Sequence, residues 1–273
     1  MTALAHSPDI ATRRQSSPSS SLVNAFDDTL ALTGRNLRMY LRNPQLLIFS
    51  TIQPVIFVLL FRYVFGGAIR VTGTDYVDFL MPGIFAQTVV FGAMATAIGI
   101  AADMQTGLIE RFHSLPMSRS AVLAGRTLAD LVRNAFVIAL MAVVGFAVGW
   151  RPHTGAGAVL AGMLLMLLFG YAVSWIFATV GLAVRDPEAA QAASFPVLAP
   201  LVFASAAFVP IATMPSWLQG FAEHQPLSVV VSAVRDLTLG TPAASDVLTA
   251  LAWIVGIVAV AAPIAVHFYR RAV

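Results

Sequence analysis

An all-α membrane protein is what this sequence predicts, and three observations predict it. Six apolar stretches of about twenty residues run through the 273-residue chain, and roughly 20 helical residues are needed to cross a 30 Å hydrocarbon core. Hydrophobic residues make up 58% of the chain and charged residues 11%, against about 25% charged in a soluble domain. The apolar runs are continuous, and a spanning helix satisfies its own backbone within the bilayer. Mean hydropathy is +0.82, in keeping with this class.

The predicted spans are residues 46–65, 81–102, 128–150, 158–184, 189–209 and 247–268. They divide the chain into a disordered cytoplasmic tail, 1–21, and one membrane domain, 22–273. The tail is rich in Ser, Pro and Ala and has no apolar core, so it does not read as a signal peptide. With both termini placed inside, twelve arginines fall on the inner side. Only Arg62, Arg70, Arg151 and Arg235 fall outside, and that bias sets the predicted orientation. The Ala/Val/Gly/Arg bias suits a GC-rich bacterial coding sequence, hence a bacterial inner membrane.

Before the first span, Leu22, Phe26, Leu30, Thr33, Leu37 and Tyr40 recur near helical spacing, with Arg35, Arg38 and Arg42 along a neighbouring face. This predicts an amphipathic helix in the inner headgroup layer, broken at Asn43-Pro44. The second loop, QTGLIERFHSLPMSRSAVLAGR, is cytoplasmic. Met104, Leu108, Phe112 and Leu115 step by four and three, which predicts a short amphipathic helix ending near Pro116. Such a helix, with its charges toward the cytosol, suits a soluble partner and equally suits a loop that only rests on the headgroups. In the fourth loop, Arg185 stops one helix, Asp186 caps the next and Glu188 sits near its positive end. The fifth loop stays apolar, but Pro215, Gly220 and Pro226 break it too often for a seventh span.

Several chemistries are excluded. The chain has no cysteine and no lysine, so it carries no disulfide, no thiolate and no Schiff-base lysine. It also lacks the ammonium that a P-loop places on nucleotide phosphates. The five histidines, His6, His113, His153, His224 and His267, show no ligand spacing, so no metal site is expected. No GxSxG occurs, and no catalytic residue is assigned. The arginines flank the membrane instead of forming one patch, which argues against nucleic acid. The span middles read as nearly free of Asp, Glu, Arg and His, with Arg62, Asp103, Arg133 and His267 near ends where they snorkel. That favours an apolar path over an ion-coupled carrier. Gly145 and Gly149 form a GxxxG suited to close helix contact, and Pro54, Pro196, Pro200 and Pro263 lie inside spans.

Three stretches in order resemble the permeases of type-2 ABC exporters, most closely the daunorubicin-resistance subgroup. The first is Glu110-Arg111, then Leu115-Pro116-Met117-Ser118-Arg119 and Gly125-Arg126. The second is Arg185-Asp186-Pro187-Glu188 with Gln191. The third runs from Pro210 through Met214-Pro215, Trp217-Leu218 and His224-Gln225-Pro226 to Arg235–Gly240. The resemblance covers about residues 22–268. It implies that the second loop is a coupling helix seated in a separate ATPase subunit, with Glu110, Arg111, Phe112, His113, Leu115 and Pro116 at the contact. It also implies external re-entrant helices that close an exit, with Trp217, Leu218 and Phe221 at the gate. ATP and Mg would belong to the ATPase, and this chain would bind no cofactor. A second permease half, identical or related, would complete the path for a drug, lipid or glycoconjugate. A self-contained secondary carrier and a membrane-embedded enzyme are the rival readings.

Overall fold

The computed structural model describes residues 18–42, 44–69, 71, 73–107, 119–241 and 244–271. Among the described residues the chain is helical and has no strand. In order come α1 (Pro18–Arg42), α2 (Pro44–Leu59) with a π-helical continuation (Leu60–Phe65), and α3 (Tyr76–Gln105). Then follow α4 (Arg119–Val148), α5 (Ala156–Val184) and α6 (Pro187–Phe203). A 3-10 turn (Ile211–Thr213) leads to α7 (Ser216–His224), α8 (Pro226–Leu239) and α9 (Ala244–Arg271).

Four helices are long and apolar enough to cross a bilayer: Tyr76–Gln105, Leu123–Val148, Ala156–Val184 and Ala244–Arg271. The first expected span is helical from Pro44 to Phe65, while the fifth is helical but shorter. Thr51–Phe65 is a short apolar helix, and α6 has 17 residues, about 25 Å at 1.5 Å per residue. The long helices also exceed the expected spans. α3 and α4 each have 30 residues, so the connection expected at 103–127 shrinks to 106–118.

Local chemistry explains the ends. Arg185 takes a left-handed φ of 62° and its N–H donates to the Gly181 carbonyl, which closes α5. One residue later the Asp186 carboxylate accepts from the Ala189 N–H at 2.8 Å, and Pro187 starts α6 at the position where a missing N–H costs nothing. The expected stop, cap and restart are therefore all present. Gly149 ends α4 with a φ of 105°, and Trp150 N–H then donates to the Gly145 carbonyl at 2.8 Å.

The helix α3 is the central post. It is largely apolar, and its first half, from Tyr76 through Val90, is buried without a break. It packs against α5, α6, α4 and α8. Two glycines allow that closeness. A Cβ on Gly83 would overlap the Ala207 carbonyl, and one on Gly181 would overlap the Ala97 carbonyl. By contrast, Gly145 of the GxxxG packs on Met81 and Trp150 of its own chain, and Gly149 serves the turn. The outer faces of α2, α4 and α9 expose Ile52, Ile56, Phe136, Val143, Val255 and Val260. In a bilayer these side chains face hydrocarbon without penalty.

The helices alternate in direction, which gives the molecule two ends. At one end Gln105 donates to the Asp186 carboxylate at 3.4 Å, and both segments flanking residues 108–118 converge there; we call it the loop end. At the other, the Tyr76 hydroxyl donates to the Phe208 carbonyl at 3.0 Å, and Phe61 stacks on Phe208 with centroids 4.6 Å apart. The segment Ile211–Leu239 covers this second end as a cap.

Candidate functional site

The most informative site is a polar seam where α3 and α4 cross. On α4, Arg126, Asp130, Arg133 and Asn134 lie one or two turns apart on a single face. On α3, Gly92, Thr96, Gly99 and Asp103 do the same. The two stripes interlock. Near the loop end, the Arg126 guanidinium donates to the Asp103 carboxylate at 2.7 Å, and Arg35 of α1 approaches the same carboxylate at 3.8 Å. Gly99 makes room for Arg126, since a Cβ there would overlap the guanidinium. One turn deeper, the Thr96 hydroxyl donates to Asp130 at 2.5 Å, and Arg133 lies 3.5 Å from the other oxygen of Asp130. Arg133 also donates to the Gly92 carbonyl at 2.6 Å and to Asn134 Oδ1 at 3.2 Å.

This seam corrects the expectation that the span middles lack charge and that Arg133 snorkels. Asp130 and Arg133 have side chains only 1% and 5% exposed. Arg133 stands halfway along the 30-residue α4, and Gly92 stands near the middle of α3. The signal was present as spacing: charged residues at 126, 130 and 133 on one helix, and small or hydroxylated residues at 92, 96 and 99 on another. Only the crossing of the helices joins them. A buried pair survives because each charge is met by the other and by further hydrogen bonds.

Beside Arg133 and Asn134 lies a cavity of about 100 Å³ between α2, α3 and α4. Its polar lining is Gln53, Gln87, Thr88, Arg133 and Asn134, with Phe91 and Val137 adding apolar wall. Sequence reasoning missed Gln87 and Asn134 altogether, because a neutral amide barely lowers a span's hydropathy.

The helix α1 braces the loop end. Its buried stripe is Leu32, Thr33 and Asn36, with the Thr33 hydroxyl reaching the Gly125 carbonyl at 3.2 Å. Leu30, expected on the apolar stripe, is exposed. The expected coupling residues Glu110, Arg111, Phe112, His113, Leu115 and Pro116 lie outside the described residues.

At the cap, Arg235 of α8 donates to the Phe79 carbonyl at 3.0 and 3.2 Å and to the Ala206 carbonyl at 2.9 Å. Its guanidinium also sits 3.6 Å from the Phe79 ring centroid. Gln225 donates to Ala204 O at 2.6 Å, and Asp78 holds the Arg151 N–H at 2.8 Å. Leu227, Val230, Val231 and Val234 bury α8 among the other helices. The irregular stretch 205–208 is buried under α8, whereas Ala212, Thr213 and Pro215 are exposed. Of the expected gate residues, Trp217 and Phe221 are 79% and 51% exposed on α7, and Leu218 is half-buried.

These features define a polytopic helical membrane protein with a capped end and a buried polar seam. Residues 27–239 match the ABC-2 type transporter family, and the chain belongs to that family. Its relatives include the daunorubicin resistance ABC transporter permease protein DrrB1 of Streptomyces coeruleorubidus, 36% identical over 247 residues. That match covers 90% of this chain and 87% of the relative. The probable doxorubicin resistance ABC transporter permease protein DrrC of Mycobacterium tuberculosis is 29% identical over 246 residues, covering 89% and 88%. The putative transport permease ycf38 of Pyropia yezoensis is 25% identical over 217 residues, covering 76% and 72%.

Proposed function

We propose that this chain is the permease subunit of an ATP-driven exporter in the bacterial plasma membrane. It moves a hydrophobic or amphiphilic substrate outward while a separate nucleotide-binding subunit hydrolyses ATP. The family match across residues 27–239 carries this reading. The relatives named for daunorubicin and doxorubicin resistance favour a drug-like cargo, with lipids and glycoconjugates in the same chemical range. α2 with its π-helical extension and α6 would complete six spans, with α1 at the inner headgroups. α9 ends in Arg270 and Arg271 at the loop end, where Tyr269 packs with Leu123 and Leu182, and α1 brings Arg35 to Asp103 at the same end. That concentration favours a cytoplasmic loop end with both termini inside. Residues Glu110–Pro116 would then meet the ATPase from the cytosol, and α7 with Trp217, Leu218 and Phe221 would lie at the exit. A second permease half, identical or related, would face this one across the path.

One observation favours a second reading. Buried charges at mid-helix are what an ion-coupled carrier uses, and Asp130 and Arg133 are such charges. Their mutual pairing in the α3/α4 seam suits a structural role better than a proton relay, and the family match weighs on the same side.

The deciding experiment is transport into inverted vesicles. With the cognate ATPase present, transport should require ATP and survive an ionophore. Replacing Glu110 or Phe112 by Ala should cut ATP-driven transport by about tenfold or more while the chain remains inserted, because interface anchors carry most of the docking energy. Transport that persists without ATP and collapses with the ion gradient would establish the carrier instead.

A further inference from the structure

A groove of about 480 Å³ runs along the outward side of α2 and α4. Ile48, Ile52, Val55 and Ile56 form one wall, and Phe136 and Leu140 of α4 form the other. Thr51 is its one polar residue. Among the described residues of α2 only Pro54 and Val58 are buried, so this helix leans on its neighbours along a narrow strip. α2 leaves the loop end at Pro44, and Ile48 stands about one turn further in. From Ile48 to Ile56 the groove follows two turns of helix, about 12 Å at 1.5 Å per residue. One leaflet is about 15 Å deep, half of the hydrocarbon core. The groove therefore has the place and depth of the acyl region of the loop-end leaflet. Its mouth is basic. α1 ends at Arg42, just before α2 starts at Pro44. Arg38 and Arg42 lie one turn apart on one face of α1, and both are exposed. Arg35 approaches Asp103 at 3.8 Å. Arg38 and Arg42 have no carboxylate partner among the described residues.

We propose that this groove holds an acyl chain of an anionic phospholipid of the loop-end leaflet, with its headgroup held by Arg38 and Arg42. The guanidinium fork matches phosphate oxygens, and a phospholipid joins that anion to the apolar chain the groove accepts. Arginines beside a membrane span attract anionic headgroups in this way. A second copy of this chain fits the groove less well. Close helix contacts within a membrane favour Gly, Ala and Ser, whereas branched and aromatic side chains line this groove. A cargo molecule rich in polar groups would find only the Thr51 hydroxyl to meet them. The bound chain would fill the space between α2 and α4 and hold the thinly packed α2 in place.

The test is native mass spectrometry of the full chain in detergent micelles. Dioleoyl phosphatidylglycerol and dioleoyl phosphatidylcholine are the probes, at equal mole fraction. Phosphatidylglycerol should be retained about tenfold or more over phosphatidylcholine, because each arginine near the surface favours an anionic lipid by about fivefold. Arg38→Gln and Arg42→Gln should each cut that preference about fivefold, and together they should abolish it. Ile52→Trp with Ile56→Trp fills the groove from outward positions, 44% and 54% exposed. This pair should cut retention of phosphatidylglycerol about tenfold, as lost burial of a few methylenes would. Val255→Trp, on the outer face of α9, should leave retention unchanged. Equal retention of the two lipids, a preference that survives both Gln replacements, or retention indifferent to the Trp pair would overturn the proposal. So would a lipid-free dimer that the Trp pair splits, which would give the groove to a second copy. Gln variants that lose a co-purified ATPase and keep the lipid preference would assign the two arginines to that partner, and would overturn it likewise. Retention is read without cargo or ATPase. A failure here leaves the export reading intact, and a chain that never exports can still hold the lipid.

Discussion

Breaking the Asp130–Arg133 pair from either side should harm the protein more than removing both charges. In the seam the Asp130 carboxylate receives the Thr96 hydroxyl at 2.5 Å and faces Arg133 at 3.5 Å. Arg133 in turn directs donors to the Gly92 carbonyl and Asn134 Oδ1. With Arg133→Met, the carboxylate stays buried without its guanidinium. With Asp130→Leu, the guanidinium stays buried without its carboxylate. Removing one partner of a buried pair costs about 3–5 kcal/mol, whereas replacing both by apolar groups of similar volume is often neutral. The double variant should therefore be more stable than either single variant, with a coupling energy of about 2–3 kcal/mol, near the upper end seen for residues in one network. The assay is a double-mutant cycle of unfolding in detergent micelles or nanodiscs, read by tryptophan fluorescence. Single-variant losses that simply add, or singles that cost under about 0.5 kcal/mol as exposed pairs do, would refute the reasoning. They would return Arg133 to the snorkelling position expected from sequence.

Three further outcomes follow from close packing and from the cap. Gly181→Ala drives a Cβ into the Ala97 backbone carbonyl, which cannot rotate away, so a loss of about 1–3 kcal/mol is expected on thermal unfolding. Gly220→Ala, where nothing lies within 4 Å, should cost nothing measurable by the same assay. Arg235→Lys keeps the charge but gives up the planar fork that reaches Phe79 and Ala206 together. It should loosen the cap by about 1.5–3 kcal/mol, seen as faster amide exchange in 204–210 and 226–239 with little change in α9.

The comparison of sequence with structure differs from element to element. The α5–α6 junction was fully legible, because a cap is local: Asp186, its acceptor geometry and Pro187 all lie within one turn. The broken region after Pro210 was legible as something other than a span, since Pro215 and Pro226 act where they stand, although α7 runs unbroken through Gly220. Helix lengths were less so. Hydropathy falls off at Asp103 and rises again near Leu128, yet the helices themselves run on to Gln105 and begin at Arg119. Backbone hydrogen bonding continues wherever polar side chains find partners, as Asp103 and Arg126 do in each other. The GxxxG of α4 was half legible: Gly145 does permit close contact, with Met81 of α3, whereas Gly149 serves the turn with nothing within 4 Å. The expected docking residues around Phe112 remain a proposal that rests on resemblance.

By itself the sequence determined the membrane class, the absence of a P-loop lysine and of any thiol, and the order of apolar segments along the chain. These are sums over residue type, and transfer from water to hydrocarbon is additive enough for sums to suffice. Tertiary structure alone decided which faces meet. It brought Arg126, Asp130 and Arg133 against Gly99, Thr96 and Gly92, turned Leu30 outward, and left Gln87 beside a cavity. Asp130 neutralises Arg133 from one turn away on the same helix, but whether that pair is buried or reaches the interface depends on the neighbour across the helix contact. For Arg133 and Gly92 that neighbour lies 41 residues away in the chain, beyond the reach of any local pattern.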